Sequence, residues 1–350
     1  MNLGQLLFLK VSELRWSSSL ECSLRRSCPG GVAIDAPLPG TAENVREFMS
    51  KVASSVPTVP FLALREEGGV MDPLGAILPP LPSPRAVAEK GLEAVRRLGE
   101  LVGAALQLLG FNTNLAPMLD LGLSAENETR AFSADPQQMA NCGAAFLEGF
   151  ERHEVRACGK HFPGLAGAQS SSANEPSLVS KSMAQLWRED LVPFRLLLPR
   201  LPFVLVSTAA YKAYDFDFLQ SAALSSKVVE GLLRVKLSYD GIAIAYGLET
   251  KAVRGTPTVE EAAVQALGAG CDMLLLEEAE AAERVPAALR AARESRKLPS
   301  PRVEQALKRI HVAKQGLKPP LGPLPKRSLE RLAREFAAFS DTFKGRPRLL

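Results

Sequence analysis

Lys160 and His161 stand together at the end of an apolar run, "ACGKHF" (157–162). The loop that follows, "PGLAGAQSSSANEPSL", carries a single ionisable group, Glu175. Polar residues close other apolar runs in the same way: Asp35, Arg65 with Glu66 and Glu67, Asp120, Thr208, and Tyr246 with Glu249. Lys and Arg donate hydrogen bonds, carboxylates accept them, and hydroxyls do both. Gathered around one opening, such a set suits a ligand rich in hydroxyl groups. General acid–base chemistry asks for more, namely a group of suitable pKa within reach of the reacting atom. The loop after Lys160 and His161 offers only Glu175 for that task.

The elements that must position these residues are eight short apolar runs. They are "LLFLKV" (6–11), "GGVAID" (30–35), "FLALR" (61–65), "TNLAPMLD" (113–120), "ACGKHF" (157–162), "FVLVST" (203–208), "IAIAYG" (242–247) and "DMLLL" (272–276). Segments of helical period lie between them. "PRAVAEKGLEAVRRLGELVGAALQLLG" is the longest, and "DPQQMANCGAAFLEGFERH" opens with an Asp cap and Pro in the first turn. "SSKVVEGLLRVKL" and "TVEEAAVQALGAG" read as helices too, the second closing on Gly. Strands alternating with helices predict an α/β fold with a parallel sheet, and eight runs favour a (β/α)8 TIM-type barrel. Such barrels carry their chemistry at the C-terminal strand ends. Asp240 and Asp272 precede their strands, so they are assigned to the opposite, stabilising face. Residues 1–317 form the expected single barrel domain; 318–350 follow as a Pro-rich connection and a helix, "RSLERLAREFAAF", expected to pack back on the barrel.

Composition narrows the function. Hydrophobic residues make up 46% of 350, enough for a large core. The formal charge of +4 is spread among acids and bases without a basic stripe, so nucleic acid is not an expected partner. No apolar run is long enough to span a membrane. Cys22, Cys28, Cys142, Cys158 and Cys271 are scattered without a Cys-x-x-Cys pair, which argues against zinc and for a reducing compartment. The expected location is cytoplasmic. No Gly-x-Gly-x-x-Gly or P-loop opens a helix, so no nucleotide cofactor is expected.

Longer stretches match a known pattern. "GFNTNLAPMLDL", "NETRAFSADPQQ" and "GKHFPG" resemble N-x-A-P-V-x-D, R-x-F-G-x-D-P and K-H-F-P-G-H-G of glycoside hydrolase family three. "FLALREEGGVM" resembles its D-Q-E-G-G-R-V strand end, and "YDGIAIAYGLETKAV" resembles F-D-G-V-V-I-S-D-D-L-E-M-K-A-I. "AAVQALGAGCDMLLL" fits a later motif, and the order holds from about residue 5 to 317. The nearest branch is the single-barrel bacterial β-N-acetylglucosaminidases of cell-wall recycling. The resemblance implies a barrel, an O-glycosyl hydrolase reaction without metal or cofactor, and a sugar or muropeptide ligand. It assigns Lys160 and His161 to sugar hydroxyls, Arg130 to substrate, and Asp120 to the strand-end aspartate. Asp120 and Arg130 could alternatively pair with each other.

The same motifs mark departures. Tyr246 stands where the family has its nucleophilic Asp. Ser171 and Ala173 fall where it has the Asp and His of its acid/base dyad. Arg65 replaces a substrate-binding Asp, and Thr208 a strand-end His. Retaining hydrolysis needs a nucleophile and a proton donor, so the expectation is a catalytically inactive or altered sugar-binding barrel. Tyr246, deprotonated by Glu249, with Glu175 as proton donor would be an active alternative. A barrel serving as a platform for a protein partner, through its tail helix, is another. That reading expects Arg65, Asp120 and Arg130 to close the mouth as a salt-bridge network.

Overall fold

In the computed structural model the described residues are 2–344 without 35–37, 39, 126, 170–174, 251–252, 254–257, 279 and 321. Eight parallel strands close into a barrel: β1 (Leu7–Val11), β2 (Gly31–Ile34), β3 (Phe61–Leu64), β4 (Thr113–Asn114), β5 (Arg156–Phe162), β6 (Phe203–Val206), β7 (Ile242–Ala245) and β8 (Met273–Leu276). Each pairs with its neighbours in sequence, and β1 pairs with β8 through Leu7 and Leu274 to close the ring. β2, β3, β6, β7 and β8 are buried throughout, which explains their unbroken apolar composition. Inside the barrel Phe61 meets the Phe203 ring edge-on at 4.8 Å.

The helices follow local rules with two departures. Asp135 caps Pro136–Phe150 by accepting from the Gln138 amide at 2.7 Å. Thr258 and Glu261 form a capping box on Val259–Ala269, which ends at Gly270 with φ 118°. The long expected helix after Pro84 is instead two, Pro84–Glu89 and Leu92–Leu109, because Gly91 takes φ 97° between them. Lys227–Lys236 is wound as a π-helix. The tail forms a helix, Lys326–Asp341, that buries Leu332, Phe336 and Phe339; Arg97 of Leu92–Leu109 pairs with Glu335 at 2.7 Å.

The two ends of the barrel are built differently. At the N-terminal end Asp272 accepts from Arg234, from Arg302 at 2.6 Å and from Arg309 at 3.2 Å, while Arg309 also pairs with Asp240 at 3.0 Å. These aspartates thus staple helices to the barrel floor. At the C-terminal end two long loops are joined. Leu178–Val179, after β5, runs parallel to Ala210–Tyr211, after β6. Single bridges add Gln169 beside Leu178 and Ser221 beside Ala210.

Candidate functional site

The mouth is organised by a carboxylate that stands two residues past the expected Arg65. Glu67, 4% exposed, accepts two hydrogen bonds from Arg130, at 2.9 and 3.0 Å, and pairs with Lys160 Nζ at 2.5 Å. Lys160 is fully buried and also donates to the Leu115 carbonyl at 2.5 Å. Burial opposes ionisation of Glu67, but the Lys160 ammonium and the Arg130 guanidinium overcome it and hold the carboxyl down at about 2. Burial in turn lowers the Lys160 pKa, against the pull of Glu67.

Beside this cluster lies a second pair. Asp120 Oδ2 lies 2.6 Å from His161 Nδ1, and Asp120 Oδ1 accepts from the His161 and Leu165 amides at 3.2 and 2.9 Å. The carboxylate therefore fixes both the imidazole and the start of the β5 loop. Asp120 binds His161 and Arg130 binds Glu67, so the pairing of Asp120 with Arg130, which sequence alone allows, is replaced.

Tyr246 follows β7 directly. Its ring lies 5.8 Å from the His161 ring, tilted by 36°. Burial pushes its phenol up to about 12, Asp120 adding to the effect, while a hydrogen bond with Thr208 and the charges of Arg65 and Arg130 oppose it. Arg65 also bears on Lys160, so it lies within electrostatic reach of both. Glu249, the expected base for Tyr246, sends Oε1 to the Glu277 and Glu278 amides at 2.7 and 3.5 Å. Burial raises its pKa. Glu175 is exposed at the foot of its loop. Ser171, Ala173 and Asp35 lie outside the described residues.

The loop that presents Arg65 and Glu67 is held from below. Glu66 is fully buried and accepts from the Gly68 and Leu74 amides at 2.7 and 3.1 Å. Asp72 accepts from Gly75 and Leu81 at 2.8 and 2.7 Å. Burial, together with the neighbouring Asp72, raises Glu66 well above the usual carboxylate range. Asn114 completes the support, its side chain bonding both the amide and the carbonyl of Glu66 at 2.9 Å. Sequence reasoning placed Glu67 at a strand end without giving it a partner or a role, and it missed Asn114. The signals were present: Glu67 keeps the glutamate of the D-Q-E-G-G pattern, and Asn114 keeps the asparagine of N-x-A-P. Among the described residues no group of three or more His, Cys, Asp or Glu is placed to hold a metal ion.

A closed parallel barrel whose charged groups converge at the strand ends defines an α/β-barrel protein with its candidate site at that end. The Glycosyl hydrolase family 3 N terminal domain matches residues 24–313, and the chain belongs to that family. A beta-hexosaminidase of Pseudomonas aeruginosa is 32% identical over 260 residues, covering 72% of this chain and 76% of that protein. One from Idiomarina loihiensis is 28% identical over 240 residues, covering 67% and 72%. The solved β-N-acetylglucosaminidase of Thermotoga maritima superposes with a TM-score of 0.80 at 27% identity, over 90% of this chain and 68% of that one. The Paenibacillus enzyme of the same name gives 0.84 at 26%, over 97% and 68%.

Proposed function

We propose that this chain is a sugar-binding member of its family whose usual hydrolytic chemistry is lost. The observation that carries the reading is the contrast inside one mouth. The binding half is assembled, with Glu67 clamping Lys160 and Arg130 and Asp120 orienting His161. The position of the nucleophile holds a buried phenol whose pKa is pushed up to about 12. An ionised nucleophile is required to trap an oxocarbenium-like centre, and a protonated phenol is a poor substitute. Glu249 is committed to the backbone of the next strand end, which counts against its activating Tyr246. The ligand class is an N-acetylglucosamine-type sugar, the class named for the relatives, and its finer form is a muropeptide-like one.

The test is release of nitrophenol from an aryl N-acetyl-β-glucosaminide by the purified protein, beside Tyr246→Phe and Glu175→Gln. The expected result is no release above the uncatalysed rate, together with measurable binding of amino sugars by calorimetry. Turnover that both variants abolish would establish a replacement mechanism instead.

A further inference from the structure

Away from the mouth, one flank of the barrel carries a knob beside a hollow. The knob is the loop that leaves Tyr211 after β6 and returns at Ser221, which bridges Ala210. Its ends are pinned. Ala222 donates to the Ala209 carbonyl at 2.8 Å, the Asp215 amide to the Tyr211 carbonyl at 3.0 Å, and Gln220 to the Asp215 carboxylate at 3.4 Å. At the tip Phe216 is 78% exposed, Phe218 74% and Leu219 42%. Adjacent large apolar side chains held in water on a fixed loop mark an interaction site. The hollow lies between helix Val259–Ala269 and helix Ala281–Glu294, which pack together. It is a groove of about 780 Å³ whose apolar lining is Val264, Ala288, Ala291 and Ala292, short side chains that leave it open. Gln265 lines the groove and donates to Gln220 Oε1 of the knob loop at 2.8 Å and to the Leu224 carbonyl at 3.3 Å. Knob and groove are therefore neighbours.

We infer that this flank pairs with a second copy of the chain, the Phe216 and Phe218 rings of each copy entering the groove of the other. A closed twofold pair needs one patch complementary to itself, and a knob beside a hollow is such a patch. Aromatic rings seated in a cleft are the groups that concentrate binding energy at an interface. Charge favours the same fit. At the groove Glu260 accepts from Arg284 at 2.6 Å and Glu261 from the Thr258 amide at 3.0 Å, so both acids are engaged. Lys297 at the groove and Asp217 between the two phenylalanines are exposed, and the side chain of neither has a hydrogen bond or ion pair among the described residues. Reciprocal seating brings Asp217 of one copy to Lys297 of the other. The pairing is independent of what the mouth binds.

Sedimentation equilibrium of the purified full chain over a range of concentrations tests this. The mass should rise from one chain to two as concentration increases. Phe216→Ser and Phe218→Ser should each weaken the pairing about thirtyfold, the scale of an interface hot spot. Ala291→Arg, which fills the groove on the other side of the contact, should weaken it as strongly. All three positions are exposed, so the circular dichroism of each variant should match that of the parent chain. Asp217→Lys should also weaken pairing, and adding Lys297→Asp to it should restore the loss. A parent chain that remains single at every concentration overturns the inference. A pair that survives Phe216→Ser, Phe218→Ser and Ala291→Arg is held by another surface and overturns it equally. Weakening by the phenylalanine variants alone would remove the groove as their seat.

Discussion

Glu67 shows how much of a site one side chain can carry. It is buried, doubly bonded to Arg130 and paired with Lys160. Removing one partner of a buried ion cluster leaves uncompensated charge, at a cost of about 3–5 kcal/mol. Glu67→Gln should therefore lower stability by roughly that amount in urea titrations and abolish ligand binding, because Lys160 and Arg130 would repel each other. The pH dependence has a definite sign. The folded pKa of Glu67 is depressed to about 2 from an ordinary 4.5, so its contribution is complete above pH 4.5 and is lost as pH falls toward 2. The Glu67→Gln variant should lack that part of the acid slope. At this scale the sequence was partly legible. Lys160, His161, Asp120 and Arg65 were recognisable from strand ends and motifs. The partnership of Glu67 with residues 63 and 93 positions away was not, since local sequence holds no record of which charges meet.

All eight strands were legible as elements, because a strand buried on both faces must be apolar along its length. Their partners in the rim were hidden. Leu178–Val179 and Ala210–Tyr211 are only two residues each, too short for any periodicity to register. The break at Gly91 and the π winding of Lys227–Lys236 escaped for a related reason. Apolar spacing is tolerant of a one-residue insertion or a sharp bend, and only the neighbouring packing decides between them. The tail helix was legible as amphipathic, and burial of Leu332, Phe336 and Phe339 accounts for its apolar stripe. That face is therefore spoken for within the chain.

At the scale of the whole molecule, Lys314 and Gln5 join the first and last elements of the barrel across its floor. Lys314 Nζ donates to Gln5 Oε1 at 2.7 Å and sits 5.2 Å from the centre of the Phe61 ring. Burial lowers this lysine to about 7. Since the unfolded chain keeps an ordinary lysine near 10.5, it binds more protons than the folded one between those values. Stability should accordingly rise as pH goes from about 7 to 10.5, and below 7 the full penalty remains. Thermal melts of Lys314→Met should show a flatter profile over that window. The difference at its two ends should be on the order of a few kcal/mol.

The rim sheet has its own outcome for motion. Gln169 and Leu178 exchange hydrogen bonds at 3.0 and 2.7 Å, Ala210 donates to Ser177 at 2.8 Å, and Lys212 donates to Val179 at 3.2 Å. The loops after β5 and β6 are thereby laced into one fabric. Amide deuterium uptake at Gln169, Leu178, Ala210 and Lys212 should follow a single shared rate, as a cooperative opening unit does. Ala210→Pro, which deletes that donor, should loosen the other three together. These paired segments would thus move as one leaf, not two.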